Sequence, residues 1–167
     1  IVDEIYHELI YGRDEPTAAR LGDDVIVINS FSKYWLMTGW RLGWLLAPAA
    51  IMPAIERLAQ NVFLSAPTLA QHAAITALGP ETRIILERRK AELRERRDLL
   101  VPALERLGLG VPARPQGAFY VYADIGRFSA DGEAFAASLL ARAGVAITPG
   151  LDFGRHRAGR HVRFAYT

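Results

Sequence analysis

Lysine is rare in this chain, and one of its two lysines lies where a reactive amine could be used. The sequence has 20 basic residues, of which only Lys33 and Lys90 are lysines. Lys33 follows the small polar segment Asn29–Ser32, whereas Lys90 lies in a run of charges typical of a solvated helix face. A desolvated lysine can become a neutral nucleophile, but an arginine stays protonated. Lys33 is therefore a candidate catalytic residue, and the alternative is a chance lysine in a surface loop.

The residues around Lys33 form a specific pattern. Ser30-Phe31-Ser32-Lys33 is followed at a fixed distance by Gly39-Trp40-Arg41-Leu42-Gly43, which gives S-x-S-K-x7-R-x-G. This pattern resembles the Schiff-base lysine segment of the class I/II aminotransferases, which are enzymes of fold type I that use pyridoxal 5'-phosphate (PLP). The match joins several residue types at set offsets, so it is more specific than a glycine pattern alone.

The resemblance implies a role for each polar residue of this segment. Lys33 would bind PLP as a Schiff base and then move a proton between the substrate's Cα and the cofactor. Arg41, with Ser30 and Ser32, would hold the phosphate, because a guanidinium fork suits two phosphate oxygens better than an ammonium group does. No glycine-rich nucleotide-binding loop follows any predicted strand, so a nucleotide is not indicated.

Both ends of the chain extend the resemblance. Asp3-Glu4-Ile5-Tyr6 matches the family's aspartate at a strand end and its tyrosine three residues later. Asp3 would be a buried carboxylate that keeps the pyridine nitrogen protonated, and Tyr6 would lie beside the ring's 3-oxygen. Near the other end, P-G-x-x-F-G followed by V-R-F-A is similar to the family's small domain, where Arg163 would bind the substrate's α-carboxylate through two hydrogen bonds. The alternatives are a capping aspartate, a half-buried tyrosine and an edge-strand arginine facing solvent.

Apolar periodicity predicts the elements that must position these residues. Strands are predicted at Val25–Ile28 and Leu42–Ala47, both apolar on two faces as in an interior sheet. Further strands are predicted after Pro115–Tyr120, at Val145–Thr148 and at Val162–Tyr166. Helices are predicted over 48–61, 68–78, 81–107 and 129–143, and Pro102 should bend or divide the third.

The elements and the resemblance together predict an α/β protein with the PLP-dependent transferase-like fold (fold type I). Residues 1–80 would be the C-terminal part of the large PLP-binding domain, with part of its sheet. Residues 81–167 would be a small α+β C-terminal domain that begins with an interdomain helix over about 81–107. The family's glycine-rich phosphate turn, stacking aromatic residue and asparagine at the 3-oxygen have no counterpart in this sequence. We therefore expect a fragment that is inactive alone and whose full-length form is a homodimer.

The composition of the chain bears on which classes of partner it could bind. An apolar content of 51% and a net charge of +2 are typical of a globular protein and indicate no nucleic-acid binding. The chain has no cysteine, and His156 and His161 lie in an arginine-rich loop without metal-ligand spacing, so we interpret both as solvated and predict no metal. No apolar run is long enough to span a membrane and no signal peptide is visible, so we expect no membrane partner and a cytoplasmic protein.

The leading hypothesis for function is PLP-dependent transfer of an amino group from an amino acid to a 2-oxo acid. A fold-type I lyase or decarboxylase would share the same residues. A PLP-binding effector domain of a transcription regulator would share the fold and carry a DNA-binding module upstream. An inactive scaffold is less favoured because the site residues are present. Some dicarboxylate-specific members carry an extra arginine in the region that corresponds to Ser65–Gln71, and its absence here favours a neutral or aromatic substrate side chain.

Overall fold

Two small sheets, one in each half of the chain, organise the structure. The computed structural model describes residues 1–167, which form two compact units, Ile1–Lys90 and Ala91–Thr167. Each unit contains one three-stranded sheet. The division falls inside helix α3 (Pro80–Arg106). This is the helix that the sequence predicts over 81–107, and it begins and ends one residue earlier than predicted.

The sheet of the first unit is built around its second strand. Strand β1 (Val2–Asp3) pairs in parallel with β2 (Val27–Ser30), which pairs antiparallel with β3 (Gly43–Leu46). The central strand begins two residues later than the sequence predicts. It continues through Ser30 because this residue pairs with Gly43. Only glycine fits at position 43, since a Cβ there would lie 2.7 Å from the Asn29 carbonyl oxygen.

The prediction that β2 and β3 are buried on both faces is wrong for this structure. In β2, Val27 is buried while Ile28 is 42% exposed, and every residue of β3 is exposed. Strand β3 is an edge strand of a three-stranded sheet, and none of its residues belongs to the buried cluster of Phe31, Met37 and Ala74. Antiparallel pairs commonly leave one face open to solvent.

Helices α1 (Met52–Val62) and α2 (Thr68–Ala77), together with the first part of α3, complete the first unit. Helix α1 begins four residues later than predicted, with a proline in its first turn. Helix α2 lies where the sequence predicts it. Ala74 of α2 packs against Phe31 and Met37. The alanine-rich face of α2 therefore lets the helix approach the segment that carries Lys33 closely.

The second unit has an antiparallel sheet and one helix of its own. Strand β6 (His161–Ala165) lies between β4 (Tyr120–Asp124) and the two-residue β5 (Thr148–Pro149). Helix α4 (Gly132–Ala143) is capped by the Asp131 carboxylate and ends at Gly144 with a left-handed backbone. The strand predicted at Val145–Thr148 is observed mainly as a loop, and only its last residue lies in β5.

The core of the second unit joins its sheet to the second half of α3. Pro102 does not divide α3, contrary to one expectation from the sequence. Its neighbours Val101 and Leu104 are buried in the main apolar cluster with Val121 and Ala123 of β4, Ile125 directly after β4, and Val162 of β6. Packing on both sides of the proline holds the helix together despite the lost backbone hydrogen bond.

Candidate active site

Lys33 lies in a tight turn directly after β2. The Leu36 amide donates to the Lys33 carbonyl at 3.2 Å, and Leu36 has a left-handed backbone with φ 58°. On the other side, the Thr38 hydroxyl donates to the Ser32 carbonyl at 2.9 Å. These bonds fix the backbone around the lysine and leave its side chain half-buried.

Tyr6 and Lys33 lie close together, as their predicted roles require. The Lys33 Nζ atom is 5.9 Å from the centroid of the Tyr6 ring, within the range of a cation–π contact. Tyr6 follows β1, Lys33 follows β2, and these strands are parallel neighbours. The carboxyl ends of parallel strands meet at one edge of a sheet, which is where α/β proteins place ligands.

Asp3 occupies the predicted strand end but not the predicted environment. It is the last residue of β1, and it is exposed rather than buried. One carboxylate oxygen accepts a hydrogen bond from the Ile5 amide at 3.0 Å. The exposure follows from the position of β1, which is a two-residue strand at the edge of the sheet. Its role toward the pyridine nitrogen stays a prediction.

Ser30 and Ser32 form a compact pair of hydroxyls. The Ser30 Oγ atom accepts from the Ser32 amide at 3.0 Å and lies 2.9 Å from the Ser32 hydroxyl. The Ser30 hydroxyl also donates to the Leu42 carbonyl at 3.1 Å. Both side chains therefore help to close the loop that carries Arg41, the neighbour of Leu42.

Arg41 combines an exposed guanidinium group with a strained backbone. Its φ of 53° and ψ of 50° are left-handed, which is uncommon outside glycine and clusters at functional sites. One guanidinium nitrogen donates to the Thr38 carbonyl at 2.9 Å. An arginine has five N–H donors, so most of this group remains able to bind an anion.

Arg163 lies on the central strand of the second unit, so the alternative of a solvent-facing edge arginine is wrong. Its Nη2 atom donates to the Thr148 hydroxyl at 3.2 Å. The guanidinium carbon lies 4.2 Å from the centroid of the Tyr120 ring and 4.5 Å from that of Phe153. The Nε atom is buried and has no hydrogen-bond partner. A buried donor without a partner is costly, and a carboxylate is the ligand that an arginine fork binds best.

The loop between β5 and β6 brings Phe153 to Arg163. At its start Gly150 is buried, and a Cβ there would lie 2.7 Å from the Tyr122 hydroxyl. At its end, guanidinium nitrogens of Arg160 and Arg157 lie 3.4 and 3.6 Å from Asp124. The Gly126 amide donates to the same carboxylate at 2.6 Å. This backbone bond, followed by the nearby positive charges, lowers the pKa of Asp124.

His161 is not solvated as the sequence predicts. It is 8% exposed and its ring stacks on Tyr122, with centroids 4.9 Å apart. Its Nδ1 atom lies 2.9 Å from the Arg157 carbonyl. The residue is buried because it begins the central strand, where it pairs with Asp124.

Sequence reasoning missed the groups that hold Arg163. Thr148, Tyr120 and Phe153 come from three different segments, and strand pairing and the loop bring them together. The available signal was the motif P-G-x-x-F-G, whose phenylalanine is Phe153. Across the whole chain, no group of three or more acidic, histidine or cysteine residues could hold a metal ion. No helix has both the length and the apolar character needed to cross a membrane.

Known proteins resemble this chain along nearly its whole length. The model of the family described as aminotransferase class I and II matches residues 1–166. Valine–pyruvate aminotransferase from Mycobacterium tuberculosis is 44% identical over 168 residues, which cover 99% of this chain and 43% of that protein. Aspartate/prephenate aminotransferase from Thermus thermophilus is 37% identical over 169 residues, with coverage of 99% and 43%. The crystal structure of an aminotransferase from Mycobacterium tuberculosis matches with a TM-score of 0.93 at 43% identity, and the match covers 98% of this chain and 43% of that one.

These likenesses establish the fold class, which is that of the fold-type I PLP-dependent enzymes. The chain belongs to the class I and II aminotransferases, a family whose cofactor is PLP. It spans less than half the length of the curated relatives it matches.

The two units of this chain offer side chains whose chemistry suits PLP. The first unit offers a half-buried amine at Lys33 beside the Tyr6 phenol and an exposed guanidinium group at Arg41. The second unit offers a buried N–H without a partner at Arg163. An amine can bind PLP covalently, and guanidinium groups suit phosphate and carboxylate groups.

Proposed function

We propose that the full-length protein transfers an amino group from an amino acid to a 2-oxo acid, with PLP as its cofactor. The observation that carries the proposal is the placement of Lys33. It lies in a fixed turn where two parallel strands end, with its amine 5.9 Å from the Tyr6 ring centroid. Bound PLP supplies an electron sink for the bond broken at the substrate's Cα.

Four residues of the first unit would hold the cofactor at its two ends. Lys33 would hold it covalently through Nζ, and its free amine would move a proton at the substrate's Cα. Arg41 binds the phosphate by charge and by its unused N–H groups. Ser30 and Ser32 support it by closing the loop, through the bond from the Ser30 hydroxyl to the Leu42 carbonyl.

Three residues would set the electronic state of the ring and orient the substrate. Asp3 would keep the pyridine nitrogen protonated, and Tyr6 would lie beside the ring's 3-oxygen. Arg163 would bind the α-carboxylate through Nε and one terminal nitrogen. Its unpartnered buried Nε supports this assignment.

We propose a neutral amino acid as the amino donor. The segment Ser65–Gln71 contains no arginine that would bind a second carboxylate, and a relative with 44% identity is named for valine and pyruvate. The reported relatives are named aminotransferases, which favours amino-group transfer over a lyase, a decarboxylase or a regulator domain. An amino-donor screen on the full-length protein tests this choice.

We also propose that the full-length protein is a cytoplasmic homodimer. Apolar side chains on α1 and α2 are strongly exposed, among them Leu58, Val62, Leu69 and Ile75. A second copy of the chain would cover such a surface. Analytical ultracentrifugation of the full-length protein tests the dimer.

The decisive experiment uses the two lysines of this chain as a matched pair. Borohydride reduction of the full-length holoenzyme, followed by peptide mapping, should place the pyridoxyl group on Lys33. Lys33→Arg should abolish transamination, whereas Lys90→Arg should retain it. Pyridoxyl label on Lys90, or transamination by Lys33→Arg at the wild-type rate, would refute the proposal.

A further inference from the structure

Tyr34, the residue after Lys33, makes a partly buried hydrogen bond to an exposed glutamate of a distant helix. Its side chain is 6% exposed, and its hydroxyl donates to Glu87 Oε1 on α3 at 2.6 Å. Burial and, after it, this bond raise the pKa of the Tyr34 phenol well above its ordinary value. The phenol therefore keeps its proton and remains the donor. Hydrogen bonds to an ionised acceptor are about twice as strong as neutral ones.

The ring of Tyr34 is fixed as well as its hydroxyl. It packs edge-on against Trp35, with centroids 5.1 Å apart. Trp35 in turn lies 4.9 Å from the Phe31 centroid and 5.5 Å from that of Trp44 on β3. This aromatic cluster joins the residues on either side of Lys33 to β3. The hydrogen bonds that close the turn itself lie within residues 30–42, whereas the bond to Glu87 connects the turn to α3.

The backbone links this anchor directly to the lysine. Lys33 and Tyr34 are the first and second residues of the turn closed by the bond from the Leu36 amide to the Lys33 carbonyl. They share one planar, rigid peptide unit. Holding the Tyr34 side chain against α3 restricts rotation of that unit. It therefore restricts the direction in which the Lys33 side chain leaves the backbone.

We propose that Tyr34, held by Glu87, is a positioning residue that keeps the Lys33 amine aligned for covalent binding of PLP. This inference rests on the proposed function. Loss of the hydrogen bond leaves the phosphate contacts of Arg41 in place but lets the lysine turn rotate. The loss of this hydrogen bond therefore has a specific consequence. PLP stays bound to the protein, but an added amine displaces Lys33 from PLP more easily.

Displacement of Lys33 by methylamine measures that attachment directly. In the full-length holoenzyme, the cofactor's absorbance reports the methylamine concentration at which half of the bound PLP has left Lys33. Tyr34→Phe keeps the ring and removes the hydroxyl. It should lower this concentration about tenfold, which is the lower end of the effect of losing one hydrogen bond to a charged group. Glu87→Ala should behave like Tyr34→Phe. Glu87→Gln keeps a neutral acceptor and should give a concentration between those of the wild type and Glu87→Ala.

A control on the same helix separates positioning from general damage. Glu92→Gln removes an exposed carboxylate of α3 that pairs with Arg96, and it should leave the half-displacement concentration unchanged. The inference is overturned if Tyr34→Phe matches the wild type, or if Glu92→Gln lowers the concentration as much. If Tyr34→Phe does not fold, the contrast between Glu87→Ala and Glu87→Gln decides, and equal values refute the inference. Absence of pyridoxyl label on Lys33 in the wild-type protein would instead refute the proposed function, on which this inference rests.

Discussion

Replacing Arg163 with lysine tests whether its positive charge is sufficient or whether the two parallel hydrogen bonds of a guanidinium group are needed. The guanidinium group lies between the Tyr120 and Phe153 rings, and its Nη2 atom is held by Thr148. This arrangement leaves Nε buried and unpaired. A lysine at the same position keeps the positive charge, but it is a point donor on a flexible stem. It offers one direct bond to a carboxylate where the arginine offers two parallel ones.

The expected cost follows from the loss of one charge-assisted hydrogen bond. Such a bond is worth about 1.5–3 kcal/mol. At about 1.4 kcal/mol for each factor of ten, Arg163→Lys should raise the KM for the amino acid by about 10- to 150-fold. Retention of PLP should not change, because the cofactor-binding residues proposed for this chain lie in the other unit.

Steady-state kinetics on the full-length protein, with bound PLP measured in the same samples, tests this expectation. The matched control is Arg142→Lys, which changes an exposed arginine near the end of α4 and should leave KM unchanged. A primary amine without the carboxylate should react equally slowly with wild type and Arg163→Lys. Loss of PLP from Arg163→Lys at an unchanged KM would refute the carboxylate assignment, and so would an equal rise of KM in Arg142→Lys.

Three further predictions concern the cofactor, the fold and the chain by itself. Arg41→Ala should raise the dissociation constant for PLP by about tenfold or more. Arg41→Gly should weaken PLP equally but unfold at a higher temperature than Arg41→Ala, since glycine avoids a left-handed penalty of about 1–2 kcal/mol; equal melting temperatures would contradict this. The pKa of Asp124 is lowered in the folded state, so its stabilising contribution is present at neutral pH and is lost as the pH falls through that lowered value. Asp124→Asn should therefore lower the melting temperature at pH 7, with a difference that vanishes in acid, and a pH-independent difference would be evidence against the Asp124 contacts. Residues 1–167 produced alone should neither catalyse transamination nor bind PLP tightly; a cooperatively melting sample that binds PLP stoichiometrically would show this expectation to be wrong.

Much of the candidate site could be predicted because its residues lie in short, self-contained patterns. Lys33 and Arg41 are eight residues apart and share one loop, and their identification needed only residue types and spacing. The predicted start of α4 lies three residues before the observed one, and the predicted end is the observed last residue. Its capping aspartate and its terminal glycine satisfy backbone groups locally. The expected burial of Asp3 was wrong because burial depends on how many strands lie beside it, which no local pattern shows.

The sequence by itself determined the family, the candidate for the reactive lysine and the order of helices and strands, because these are encoded in residues a few positions apart. Tertiary structure decided which side chains meet. Pairing of β4 with β6, about forty residues apart, puts Tyr120 and Arg163 on one sheet and makes the strand of Arg163 central rather than an edge. Packing of α3 against the lysine turn joins Tyr34 to Glu87 across 53 residues. Contacts of this kind arise from burial shared by distant segments, and periodicity within one segment carries no information about its partner.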